Sequence, residues 1–234
     1  MLTAIAIVPS APVLVPQLAG AASCELAEVH AGLAAAVAGL PERWVAVGVA
    51  ETAMRIGPDA AGSFAGYGVD LEVALSPGGH PLRPMPLCAL ITAWLRSTFR
   101  SRAHAEVRCF AAGEDAEVAL RQGRALRAEI DEAADPVGAL VVADGWHTLT
   151  PSAPGGFDPD SPARQQELDD ALASGDAAAL TRLPDAVVGR VAFAVLAGMA
   201  EPAPAAAEEF YRGAPFGVGY FVGRWSPRVP RTDP

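Results

Sequence analysis

Ser10, Glu51, Asp144 and His147 are the side chains whose type and position could do chemistry. Each lies just past an apolar run of the kind that forms a buried strand. Ser10 follows residues 3–8, Glu51 follows Arg43 to Val49, and Asp144 and His147 follow Val137 to Ala143. In open α/β sheets, ligands and catalysis gather at the carboxyl ends of the strands. A serine, an acid and an imidazole on one such edge are the raw material of a hydrolase triad. No Gly-x-Ser-x-Gly elbow supports that reading, and Ser10 stands in a rigid setting between Pro9 and Pro12. Loop capping is the simpler role for Ser10 and Asp144. His147 is the best acid or base, because an imidazole titrates near neutrality. Thr148, its neighbour, completes the candidate pocket of Ser10, Glu51, Asp144 and Thr148.

Other chemistries find little local support. His30, His80, His104 and His147 share no metal-type spacing with one another, and Cys24, Cys88 and Cys109 share none either. No metal ligand is therefore assigned. A Gly-x-Gly-x-x-Gly pattern beginning at Gly66 fails at its last position, which is Leu71. Gly217, Gly219 and Gly223 fall in a strand-like run and suit backbone packing better than a pyrophosphate. All 17 basic residues are arginine. Without lysine there is no Schiff base and no P-loop lysine.

The elements that must position these residues alternate between strand and helix. The expected strands are 3–8, Arg43 to Val49, Val69 to Leu75, Glu106 to Ala111, Val137 to Ala143 and Gly217 to Val222. The expected helices are 20–39, Leu87 to Phe99, Asp115 to Ala133, 163–173, 176–182 and 185–200, with another ending over Glu208 to Arg212. His30 is expected on the polar face of the first helix. The prolines of residues 9–16, and those between Pro77 and Pro86, make loops. This alternation predicts an α/β fold, a single domain with a central, largely parallel or mixed sheet flanked by helices. The domain is expected over 1–225, with a Pro- and Arg-rich tail over 226–234.

The chain has 234 residues and a formal net charge of −10. That acidity argues against nucleic acid as a partner. No apolar run of membrane-spanning length lacks charge or proline, so no membrane partner is expected. The first residues lack a basic segment, and Pro9 interrupts them early, so they read as a strand and not as a signal peptide. An odd number of cysteines without paired spacing suits a reducing cytoplasm. Trp44, Trp94, Trp146 and Trp225 would offer anchors for a homo-oligomer wherever they are exposed.

Three segments together carry a family resemblance. They are the Pro-Ser-Ala-Pro element at 9–12, the run from Asp144 to Pro159 (DGWHTLTPSAPGGFDP), and the C-terminal APFGVGYFVGRW at 214–225. In these the chain resembles an actinobacterial family of class III extradiol ring-cleavage dioxygenase-like proteins. That family is more distantly similar to protocatechuate-type catalytic subunits and to the Memo protein. The resemblance implies a single α/β domain, and in active members an Fe(II) held by two His and one Glu, with a further His as acid/base. Such a face leaves room for a catechol and O₂.

Residue by residue, this chain departs from that pattern. Ser10 stands where the first His belongs. Glu51 is the metal-capable residue in the second position, between Ala50 and Thr52. Gly189, ahead of Phe193, matches the Glu. Only His147 matches the acid/base His. The resemblance therefore implies a dioxygenase-like protein without its iron, with no cofactor, binding a small molecule or a protein. An active dioxygenase with rearranged ligands such as Glu51 and His147 is the alternative, and a metal-independent hydrolase using Ser10 and His147 is a second.

Overall fold

The computed structural model describes residues 1–228. In chain order the strands are β1 (Leu2–Val8), β2 (Arg43–Ala50), β3 (Met54–Ile56), β4 (Ala61–Ser63), β5 (Glu72–Ala74), β6 (His104–Ala111), β7 (Val137–Val142), β8 (Ala206–Gly213) and β9 (Tyr220–Ser226). The helices are α1 (Pro16–Ala19), α2 (Ala27–Ala38), α3 (Leu87–Phe99), α4 (Ala116–Asp131), α5 (Ser161–Ser174) and α6 (Arg190–Ala200). Seven strands form one sheet in the order β3-β6-β2-β7-β1-β9-β8, and β4 pairs with β5 apart from it. The inner four, β6, β2, β7 and β1, are parallel. β3, β9 and β8 run antiparallel to their neighbours, so the sheet is mixed.

The inner strands are apolar on both sides because both sides are covered. All six residues of β7 are buried. Ala4, Ala6, Val8, Trp44 and Leu140 pack towards α2 and α3. Ile5, Ile7, Val45, Val47 and Val141 pack towards α4, α5 and α6. α4 and α6 meet at Gly123 and Gly198, where a side chain on either would strike the other helix's backbone. Among the described residues, no helix is long and apolar enough to cross a membrane.

Several expectations are corrected. Glu208 to Arg212 is not the end of a helix but the middle of β8, paired with β9. A bulge between Glu209 and Tyr211 breaks the two-residue alternation that would have marked it. The helix expected over 20–39 is α2 and starts only at Ala27, after a 3₁₀ stretch over Gly20–Leu26. The expected helix at 176–182 shrinks to a 3₁₀ turn, Ala179–Arg182. The 185–200 helix begins only at Arg190, after an extended and turning approach. The last strand lies later than expected, because Gly217 turns at φ 73°. Ser226 belongs to that strand, and its carbonyl accepts the Ala205 N–H at 2.7 Å, so the folded part passes 225. The rest of the expected tail, 229–234, lies outside the described residues. All four tryptophans are buried, at 5% exposure or less, and serve the core instead of an outer contact.

Candidate functional site

β1 and β7 are parallel neighbours in register, Val8 opposite Val142. Two residues past each strand stand Ser10 and Asp144. The Ala143 N–H donates to the Val8 carbonyl at 2.9 Å and extends the ladder. The Ser10 backbone N–H then donates to Asp144 Oδ1 at 2.8 Å. The chain leaves β1 for the α2–α3 side of the sheet and leaves β7 for the α5–α6 side. This divergence is the switch point where α/β sheets open a crevice. Here a carboxylate bridges it.

Asp144 is buried, and burial raises its pKa from 3.8 to about 7, against the lowering effect of the Ser10 N–H. Tyr220, on β9, is also buried. Its phenol is pushed upward first by burial and then by the negative charge of Asp144. The crevice therefore holds a carboxyl that gives up its proton reluctantly beside a phenol that keeps its own. That pairing can donate or accept a hydrogen bond, and a carboxyl near 7 can take up or release a proton around neutral pH.

The loop after Asp144 is tied down at every step. The Gly145 N–H donates to the Gly219 carbonyl at 2.9 Å, and the Gly219 N–H returns to the Trp146 carbonyl at 2.8 Å. The Trp146 N–H donates to Gln165 Oε1 at 2.8 Å, and Gln165 Nε2 donates to Asp169 Oδ1 at 2.8 Å. A side chain at Gly145 or Gly219 would collide with the Gln165 amide. Asp169 is buried, which raises it to about 6, and the Gln165 hydrogen bond and the Arg212 charge hold it back. Gln165 and Tyr220 went unmarked in the sequence. The i,i+4 spacing of Gln165 and Asp169 is the only trace that Gln165 left.

His147 is not joined to this bridge. Its ring packs on Gly155, where a Cβ would lie 2.6 Å from Nε2. Its Nδ1 is buried without a hydrogen-bond partner among the described residues. Thr148 closes the same loop, its hydroxyl 2.6 Å from that of Ser161 and its carbonyl accepting the Asp158 N–H at 3.1 Å. Glu51 is exposed past β2. No hydrogen bond joins Ser10, Glu51 or Asp144 to His147 among the described residues, so the structure leaves the hydrolase pairing of Ser10 with His147 unassembled. Of the expected pocket, it brings together Ser10 and Asp144 alone. His30, expected on a polar face, turns inward instead: Nε2 lies 2.7 Å from the Leu14 carbonyl.

Gly189 lies against the site, its N–H donating to the Asp144 carbonyl at 2.8 Å. A Cβ there would stand 2.6 Å from that of Ala143 and 2.7 Å from the Asp144 oxygen. This backbone cannot carry a glutamate at 189 without shifting. Among the described residues, no three His, Cys, Asp or Glu side chains are grouped to hold a metal ion. The donors present do not fit the iron of the resembled family.

No family model matches the chain. No curated protein matches it either. Among solved structures, the chain is similar to an uncharacterized protein from Escherichia coli K12. The TM-score is 0.54 at 10% identity, over 95% of this chain and 99% of that one. At that identity the likeness is one of fold.

Proposed function

We propose that this chain is a non-catalytic relative of the class III extradiol dioxygenases, a small-molecule binding protein that works without iron. The observation that carries the reading is the bridge from Ser10 to Asp144. The ionisable group at the switch point is spent on joining two loops, its Oδ1 accepting the Ser10 N–H. A metal ligand would need the opposite, a carboxylate kept charged and open on one side. The tight fit around Gly189 supports the same reading, because the third ligand position has no room for a side chain. His147, which the resemblance matches to the acid/base residue, packs on Gly155 and has no hydrogen-bond partner for its buried Nδ1 among the described residues.

The proposal includes a cytoplasmic location. The Cys88 and Cys109 sulfurs lie 3.7 Å apart as free thiols, a pair that a reducing compartment would keep open.

The test is reconstitution. Protein loaded anaerobically with Fe(II) is mixed with catechol and air-saturated buffer, and oxygen uptake is followed beside a His147→Ala variant. The expected result is uptake equal to that of Fe(II) and catechol alone, for both proteins. Protein-dependent uptake that His147→Ala abolishes would establish a dioxygenase with rearranged ligands and overturn the proposal.

A further inference from the structure

Two of the cysteines meet inside the protein. Cys88 stands in the first turn of α3 and Cys109 on β6, and their sulfurs are 3.7 Å apart. The contact needs a bare backbone beneath it. Gly48, on β2, is the register partner of Cys109. A Cβ there would lie 2.3 Å from the Cys88 Cβ and 2.7 Å from its Sγ, so glycine is what lets α3 set Cys88 down beside Cys109. The remaining cysteine, Cys24, is exposed.

The two sulfurs share a proton unequally. The hydrogen bond between them raises the pKa of Cys88, helped by burial, and lowers that of Cys109 against burial. Cys88 is therefore the donor, and Cys109 is the sulfur that ionises first. A thiolate is the nucleophile in thiol oxidation, and a second thiol in contact converts the first product to a disulfide.

Both side chains are buried, at 1% and 3% exposure, so reaction requires a local opening. The elements that carry and flank the pair are suited to one. Met54 lies directly opposite Cys109 on β3, shares its face of the sheet and is 41% exposed. β3 is an edge strand of three residues. α3 starts at Leu87 without a side-chain cap, after an approach broken by Pro77, Pro81, Pro84 and Pro86. An uncapped first turn and a short edge strand open locally at less cost than the core does.

We propose that Cys88 and Cys109 form an oxidisable dithiol, closed to an intramolecular disulfide by a hydroperoxide and reopened by a small thiol. The Cys109 thiolate attacks a peroxide oxygen. An S–O bond forms, the O–O bond breaks, and the leaving hydroxide takes a proton from solvent to become water. Cys88 then attacks the Cys109 sulfur. The S–S bond forms, the S–O bond breaks, and the hydroxyl leaves with the Cys88 proton as a second water. Two thiols and one hydrogen peroxide give one disulfide and two waters, with two electrons passing from sulfur to peroxide. Two equivalents of a small thiol reverse the bond and become a disulfide themselves. The closed bond ties the first turn of α3 to β6 across 21 positions of the chain. A reducing compartment holds the pair open, and peroxide closes it.

The test uses the full chain carrying Cys24→Ser, a change at an exposed position, reduced and then treated with hydrogen peroxide. Thiols are counted after quenching and unfolding, and unreduced peptides are mapped by mass spectrometry. Both thiols are expected to disappear together, with Cys88 joined to Cys109 and the mass lower by two hydrogens. The linked protein should melt higher by roughly 5 °C or more, and dithiothreitol should reverse the shift. With Cys88→Ser added, oxidation should stop at a sulfenic acid on Cys109, trapped by dimedone. With Cys109→Ser added, no such adduct should form at the same peroxide concentration. Thiols that survive peroxide in the folded protein and react only in urea would overturn the proposal. So would links between chains in place of the Cys88–Cys109 bond, or a linked protein that melts lower. An absent adduct in Cys88→Ser would overturn the order of attack.

Discussion

Asp144→Asn is the perturbation that separates a structural carboxyl from a functional carboxylate. In the folded chain the Asp144 pKa rises from 3.8 to about 7, chiefly through burial. Below about pH 4 the group is protonated in both folded and unfolded chains and contributes no pH dependence. As pH rises from about 4 to 7, the unfolded chain releases the proton while the folded chain holds it. The unfolded state therefore gains, and stability falls across that window. Each tenfold change in acidity is worth about 1.4 kcal/mol, so the full loss above pH 7 is ~4 kcal/mol.

Asparagine keeps the oxygen that accepts the Ser10 N–H and removes the ionisation. Its amide hydrogens need an acceptor, as the acid's hydroxyl does, so the two proteins should match near pH 4. By pH 8 the variant should be the more stable by roughly 2–4 kcal/mol. Urea unfolding of both proteins, read by tryptophan fluorescence at several pH values between 4 and 8, gives the difference directly. The other carboxylates are common to both proteins and cancel. A difference independent of pH, or a variant less stable at pH 8, would refute the reasoning. It would mean that the fold wants the charge at 144, as a cation site does.

Three further substitutions test the packing. Gln165→Leu strands the Trp146 N–H and leaves Asp169 without its donor; the expected cost is ~1–3 kcal/mol in urea unfolding. The same change should move the titration of Asp169 upward from about 6, because the Gln165 hydrogen bond is the larger of the two effects that hold it down, ahead of the Arg212 charge; this is read by NMR of the carboxyl. Gly189→Glu, which writes the resembled family's ligand into this chain, should cost ~1–3 kcal/mol or more by overpacking, seen as a lower Tm, and should bring no stoichiometric Fe(II) binding. Gly198→Ala forces a methyl onto the Leu120 carbonyl between α4 and α6, with an expected loss of ~1–3 kcal/mol.

The long elements were legible because their periodicity is unambiguous. β1, β2 and β7 are buried on both faces and read as unbroken apolar runs. α3 matches its expected bounds of Leu87 to Phe99, and α4 begins at the Asp115 cap, whose side chain accepts the Glu117 and Val118 N–H groups. β3 and β4 are three residues each, too short to show a period. β8 hid behind its bulge, which places Phe210 and Tyr211 side by side as a helix might.

The site divides in the same way. Ser10 and Asp144 could be paired in advance, because both extend apolar runs that a parallel sheet would set beside each other. The withdrawal of His147 could not be read, because it depends on Gly155, eight residues on, having no side chain. Gln165 and Tyr220 reach the site from α5 and β9, across contacts that leave no local pattern.

The central claim is that the switch point of this sheet holds no iron. The most direct measurement is the metal content of the full chain, expressed in iron-replete cells and purified without chelators under nitrogen. The account predicts no stoichiometric iron, and no change in that result for Glu51→Ala or His147→Ala. One iron per chain, lost on either substitution, would contradict it.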